Sequence, residues 1–503
     1  MYDALIHTKG VTDMVEGKWD KIVDVVVVGL GSAGGAAAIE AHDNGAKVLV
    51  LEKDNVAGGN TRLSGGTLRR FLDAEEVIQY YSGVFDETVS PAMIRKFVTV
   101  SCTNHQWFTE KCDAEFIDST KVLFPPAPNV VWDFLPGASG MGGRSQFNPK
   151  FGDPKKNGGY NLIATLMHGV AKRNIEIMYN TGGKKLIVGE HKEVLGILAE
   201  GPNGAIAVKA NKGVILTCGG FHRNQEMQIN YLSMPYMAQG CPCGDGDGIT
   251  MTQELGAKMW HMTGVSCGIS YKVPDYETPI AIGIRSPHYM YVDQKGKRFL
   301  NETGVDVHAM AFDFTACVAE EMDYPRLPAY LIFDEACREA GQMLGHCPGY
   351  IMDDPTFSWS EDNKAEVEKG WIKMGWTITE LGKKLGFNPG VLEAAVGEYN
   401  QAAVTGYDPK FKRNAATMAP LNQAPFYAIE VWPALLNTQG GPQRDEEARV
   451  LDLNMKPISR LYSAGELGSM VNKFYPGGTN ITEAIAFGRI AGENAAKAKP
   501  VKD

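Results

Sequence analysis

The run 24–66, DVVVVGLGSAGGAAAIEAHDNGAKVLVLEKDNVAGGNTRLSGG, limits what this chain can fold into more than any other stretch. An apolar run enters Gly29-Leu30-Gly31-Ser32-Ala33-Gly34, an alanine-rich segment follows, and a second apolar run ends at Glu52. Strand, glycine turn, helix, strand and acid in that order are what a dinucleotide requires. Gly29 permits the tight turn, Gly31 lets a pyrophosphate approach the backbone, and Gly34 lets the helix pack closely on the sheet. The helix N-terminus then directs unsatisfied N–H groups at the phosphates. Glu52 accepts hydrogen bonds from ribose hydroxyls, which suits an adenosine without a 2′-phosphate, and Lys53 beside it joins the expected binding residues.

A chain of 503 residues exceeds one ordinary domain, so two are expected. The 49 basic and 59 acidic residues give a formal charge of −10, which argues against nucleic acid or an anionic membrane as the main partner. Nine cysteines in so long a chain form no disulfide framework and point to a reducing compartment. Cys241 and Cys243 make only a CxC, and no zinc, iron–sulfur or CxxCH haem pattern is present, so no metal is expected. The N-terminus carries interspersed acids, and no later run is apolar enough to span a bilayer; a cytoplasmic protein without a transmembrane segment is expected.

Residues 123–159, rich in Pro, Gly and Asn, read as a long irregular segment of the kind that forms lids. Residues 160–182 read as a helix and then a strand, and 184–216 as a β-meander turning at Gly201-Pro202-Asn203-Gly204. The meander closes on VILTCGGFHRN, whose glycine turn includes Gly219, and a helix starts in the GDGDG run at Asp247. Both turns offer backbone amides to a ligand. Residues 265–435 carry more aromatics and charge and no second fingerprint, so the expected division is 1–264, an inserted 265–435, and 436–503. A single fingerprint also leaves no dedicated NAD(P)H domain. Electrons are expected to pass to or from a quinone, a small carrier or another reductase.

The fingerprint, GGNTRLSGG at 58–66, the GDGDG turn and GGTNITEAIAFGRIAGENAA at 477–496 together resemble the FAD-dependent fumarate reductase and 3-ketosteroid dehydrogenase family. The resemblance implies an α/β fold, with a Rossmann-like FAD-binding domain assembled from both termini, an inserted α+β cap, and an active site between them. It implies that Gly29, Gly31, Ser32, Ala33 and Gly34 hold the pyrophosphate and Glu52 the ribose. Gly59, Asn60, Thr61, Ser64, Gly65 and Gly66 would line the ribityl chain and ring, and Glu466 would bind a ribityl hydroxyl. Asn480 and Ile481 would face the pyrimidine side, at a helix N-terminus that favours negative charge on the reduced ring. GGNTRLSGG lacks the histidine of covalently flavinylated relatives, so the FAD is expected to be noncovalent.

Making or reducing an activated C–C double bond requires a hydride partner, a proton-transfer group and a stabiliser of charge on the activating group. Dicarboxylate reductases of this family carry an arginine in a loop resembling RLGGN. Here the run is Tyr475-Pro476-Gly477-Gly478-Thr479-Asn480, similar to the YPG-type loop of ketosteroid dehydrogenases. The resemblance makes Tyr475 and the Gly478 amide an oxyanion hole for an enolate. The proton-transfer position follows a strand resembling GKRFVNE, here residues 296–302, and falls on Asp306, with His308 two residues on. Relatives carry arginine or tyrosine there, so this chain departs from the pattern. Burial would raise the proton affinity of Asp306, and histidine titrates in the useful range unaided. Tyr289 and Tyr291 are alternates, and His288 reads better as structural. The leading expectation is an FAD-dependent oxidoreductase acting on the CH–CH group next to a ketone, either a 3-ketosteroid dehydrogenase-like enzyme or an enone reductase. Its substrate would be a small hydrophobic ketone or enone, hydride would be exchanged with flavin N5, and Tyr475 would hold the carbonyl. The alternatives are an unsaturated carboxylate reductase with its anion site at Arg144 or Arg285, and a non-catalytic flavin-binding electron-transfer subunit.

Overall fold

The computed structural model describes residues 19–118, 130–234, 236–345 and 349–500. The strand Lys21–Val28 lies inside a parallel sheet, between Val48–Leu51 and Gly204–Leu216. Its unbroken valine run is buried on both faces, which is why it does not alternate with polar residues. Glu176–Met178 extends the sheet beyond Val48–Leu51, and Pro457–Ser463 extends it beyond Gly204–Leu216. One sheet therefore takes strands from both ends of the chain, as expected. Gly182–Val188 and Val194–Gly201 form the expected meander with Gly204–Leu216, turning between Gly201 and Gly204.

A second sheet is built on the long strand Phe426–Thr438. It pairs antiparallel with Val265–Tyr271 and with Ala329–Asp334, and the latter pairs with Tyr289–Val292. Lys373–Gly375 joins it antiparallel, and Met237–Ala238 joins it parallel. Several segments packed on this sheet are short helices, which gives this part of the chain α+β character. One element differs from the expected irregular segment at 123–159. Residues 119–129 fall outside the described part, but Met141–Phe147 is the middle strand of a small antiparallel sheet with Thr67–Phe71 and Phe116–Asp118. MGGRSQF has little intrinsic β-preference, and its extended form comes from pairing with partners distant in sequence.

The fingerprint helix Ser32–Asp43 and the closing helix Thr479–Lys497 lie against each other with almost no side chain between them. A Cβ on Gly488 would stand 2.4 Å from the Ala33 carbonyl oxygen, and one on Gly492 2.3 Å from that of Ala37. The four-residue spacing on each helix makes these two contacts one continuous seam. No helix among the described residues is long and apolar enough to cross a membrane.

Helix propensity and packing give opposite signs at these glycines. Gly492→Ala is expected to destabilise the protein by about 1–3 kcal/mol through overpacking. Gly397, exposed in the helix Val391–Thr405 with nothing within 4 Å of a Cβ, should gain about 0.5–1 kcal/mol on the same change. Urea unfolding of the two variants checks both signs.

Candidate active site

The C-terminal ends of the parallel strands open on a cleft of about 430 Å³ whose far wall belongs to the second sheet. Ligands of open parallel sheets bind at that edge, because the loops and helix N-termini converge there. Two helix N-termini face it. Ser32–Asp43 starts at Gly31 and Thr479–Lys497 at Gly478, and neither glycine supplies a side-chain cap. Their first-turn amides are the available anion donors.

Most of the expected cofactor residues line this cleft, from Gly29, Gly31, Ser32 and Ala33 through Glu52, Lys53 and Gly219 to Asp247, Glu466, Asn480 and Ile481. Gly59, Asn60, Thr61, Ser64 and Gly65 do so as well. Two glycines do not. Gly34 is buried against the turn, where a Cβ would lie 2.0 Å from the Gly29 carbonyl oxygen, so it serves the packing of the helix on the sheet. Gly66, expected along the ribityl chain and ring, stands where the chain meets Gly158. Its φ is +57°, and a Cβ would lie 2.1 Å from the Gly158 carbonyl, so close approach to the neighbouring chain requires glycine there.

Glu52 directly follows its strand with both carboxylate oxygens engaged, accepting from the Leu30 N–H at 2.7 Å and the Asp54 N–H at 2.9 Å. Burial pushes its pKa up, partly offset by those backbone donors. Lys53 donates to Asp247 at 2.8 Å and also to Asp245, so its charge is held at this end of the cleft. Thr61 accepts from the Ser32 N–H at 3.1 Å, tying the GGN segment to the fingerprint turn.

Glu466 is held by Asn60, whose amide donates at 3.0 Å, and by the Thr438 N–H at 3.3 Å. His222 Nδ1 stands 3.6 Å from Glu466, and its Nε2 is 2.9 Å from the Cys241 carbonyl oxygen. Burial opposes a charged ring, but hydrogen bonding to Cys241 and Glu466 outweighs it and pushes His222 up to about 10. His222 was not anticipated. The available signal was an ionisable side chain directly after the Gly219-Gly220-Phe221 turn, in a run otherwise read as buried strand.

FAD fits this surface. Gly31, Gly59 and Gly219 line the cleft, yet a Cβ on any of them would meet no protein atom closer than 3.4 Å. The protein leaves that space open along the whole row, between the two helix ends.

At the end of the cleft near Gly478 the structure brings together Tyr475, His308, Asp306 and Arg144. The Tyr475 and His308 rings meet edge-on with centroids 4.9 Å apart. Burial raises the Tyr475 pKa, with Arg144 pulling the other way, so the phenol keeps its proton. The expected pair of independent donors differs in one respect: the Gly478 N–H donates to the Tyr475 hydroxyl oxygen at 2.7 Å. The phenol O–H therefore remains as the outward donor. His308 Nδ1 lies 2.7 Å from the Cys267 carbonyl oxygen and 3.2 Å from Ser266 Oγ. Asp306 is the N-cap of the helix Val307–Phe314, accepting from the His308 N–H at 3.0 Å.

Arg69, also not anticipated, is buried below the loop and donates to the carbonyls of Gly477 and Pro476, both at 2.8 Å. The remaining candidates lie elsewhere. Tyr289 and Tyr291 are buried in the core of the second sheet, with the Arg413 guanidinium over the Tyr289 ring. His288 Nδ1 is 3.0 Å from the Pro420 carbonyl oxygen, a structural contact. Arg285 is exposed and donates to the Gln342 carbonyl at 2.9 Å.

Comparison with known proteins places the chain in a class. Residues 24–481 match the FAD binding domain family, and the chain belongs to it. A fumarate reductase (cytochrome) from Shewanella frigidimarina is 30% identical, over 94% of this chain and 77% of that protein. A 3-oxosteroid 1-dehydrogenase from Mycobacterium tuberculosis is 26% identical, over 93% of this chain and 97% of that one. Among solved structures, 3-ketosteroid delta1-dehydrogenase from Sterolibacterium denitrificans, in complex with 1,4-androstadiene-3,17-dione, superposes with a TM-score of 0.80. It covers 95% of this chain and 99% of that one at 23% identity, a likeness of fold. The chain is an FAD-dependent oxidoreductase of the family that includes fumarate reductases and ketosteroid dehydrogenases. That membership leaves the non-catalytic subunit reading without support.

The His222–Glu466 pair has a pH signature. A folded-state pKa raised to about 10 contributes stability that is complete below about pH 6.5, the ordinary value, and is lost as pH rises through 10. The melting temperature of the protein is expected to fall between pH 7 and 10, and His222→Gln should flatten that slope. Thermal melts across the pH series read it.

Proposed function

We propose that this chain interconverts single and double C–C bonds next to the carbonyl of a small apolar ketone or enone. FAD, bound noncovalently, supplies the hydride chemistry. Tyr475 donates its O–H to the substrate oxygen, and the Gly478 N–H on the phenol oxygen strengthens that donor by polarising it. His308, with Nδ1–H on the Cys267 carbonyl, presents Nε2 for proton exchange. Asp306 positions it by capping its helix. A phenol and an imidazole in edge-on contact at one end of the cleft are the observation that carries this reading. An α,β-unsaturated carbonyl calls for one group at its oxygen and one at carbon, and Tyr475 and His308 are the residues that take these two roles in this reading. Residues 265–435 act as the cap in this reading, and the electron partner is a quinone, a small carrier or a reductase. The name of the Shewanella relative supports a carrier of that kind.

One observation supports a second reading. Arg144 lines the same end, with a terminal nitrogen 2.9 Å from where a Gly477 Cβ would stand. It is the better placed of the two arginines considered for a carboxylate, so an unsaturated acid is the competing substrate class.

Reoxidation of the reduced holoenzyme by a panel of cyclic enones and enoic acids tests both. Tyr475→Phe is expected to slow enone-driven reoxidation about a hundred-fold or more with flavin content unchanged. A variant as fast as wild type overturns the ketone reading. Loss of acid-driven reoxidation in Arg144→Gln, with no enone turnover in wild type, would establish the carboxylate reading instead.

A further inference from the structure

Gly268 lies in the interior of the strand Val265–Tyr271, paired with Ala434, and lines the cleft. Glycine weakens a strand interior, because it has no side chain to pack and the most backbone freedom to lose. It therefore usually answers a local need, and the ordinary needs are missing here. Its φ is outside the left-handed region, so a side chain would meet no backbone strain. The register irregularity of this strand lies between Ser266 and Cys267, while Gly268 pairs regularly. A Cβ at this position would come no nearer than 3.6 Å to Gln239 Oε1 and 4.0 Å to Leu436 Cδ1, which is ordinary contact. Neither backbone nor packing asks for glycine, and its neighbours Cys267 and Ile269 are fully buried while Gly268 is half-open to the cleft.

Its place explains what the space is for. Side chains two apart on a strand share a face, so Gly268 stands beside Ser266, about 7 Å along the strand. Ser266 Oγ is 3.2 Å from His308 Nδ1. The open position is thus two residues along the strand from the serine that touches His308, in a wall that Ala281 and Ile282 also line.

We infer that Gly268 is a specificity-determining position: its missing side chain admits the body of a fused-ring or branched substrate whose carbonyl is held at Tyr475. This rests on the proposed reading for where the carbonyl lies, and it narrows the substrate class to compounds wider than a simple four-carbon chain.

The test uses the holoenzyme and its Gly268→Ala and Gly268→Val variants, valine being well suited to a strand. The probes are a fused-ring 3-ketosteroid enone, a four-carbon acyclic enone, a fused-ring unsaturated acid and fumarate. Binding is read from perturbation of the flavin spectrum, and kcat/KM from reoxidation. For the fused-ring probes, Gly268→Val is expected to lose about 10- to 200-fold in affinity and kcat/KM, with alanine between. Both small probes should stay within about two-fold of wild type, with flavin content unchanged and the melting temperature no lower, since either side chain suits a strand better than glycine. Equal losses for wide and narrow probes, no loss for the wide ones, or a wild type that binds neither fused-ring probe would overturn the inference. Size discrimination confined to the acids would uphold Gly268 and reject the ketone reading.

Discussion

The structure depends on the seam between the fingerprint helix and the closing helix. Backbone-to-backbone approach at Gly488 and Gly492 lets a segment near the end of the chain lie against one near its start. That approach sets both helix N-termini on one cleft, the first offering Ser32 and Ala33 and the second Asn480 and Ile481. Two half-positive ends facing one space make an anion-rich cofactor favourable there, and neither end is sealed by its own side chain. The glycine-lined floor between them is the room that FAD requires.

The same closing helix builds the chemical end. Its N-cap, Gly478, belongs to the loop that carries Tyr475, and Arg69 fixes that loop from below through two carbonyls. Facing it, the helix Val307–Phe314 presents His308, anchored at Nδ1 on the second sheet. Tyrosine and histidine thus come from opposite walls and meet edge-on. The site exists only where the two sheets face each other, so its precision depends on both folding correctly.

What the sequence disclosed followed from how local each feature is. The βαβ unit was legible because valine runs, glycine spacing and Glu52 are all constraints within about 30 residues. The strand Met141–Phe147 was not, since its extended form comes from pairing with Thr67–Phe71 and nothing in MGGRSQF favours a strand. Gly66 was assigned to the flavin by the resemblance of its run to the family, while its close contact with the distant Gly158 backbone is not written in that run. His222 and Arg69 act on Glu466 and on the Tyr475 loop from far along the chain, and no spacing rule reaches them. Asp306 and His308 were found by position in a motif and both line the cleft, but the bond by which Asp306 caps the helix of His308 depends on where that helix starts.

The central claim is that the phenol of Tyr475 serves as a neutral donor to oxygen that gathers negative charge. Titrating the oxidised holoenzyme with 2-naphthol at a pH where it is the naphtholate, a planar mimic of an enolate, addresses it without turnover. The flavin spectrum should report binding in the wild type and binding weaker by about ten-fold or more in Tyr475→Phe, the loss of one hydrogen bond to a charged group. Equal affinity in the two proteins would contradict the claim.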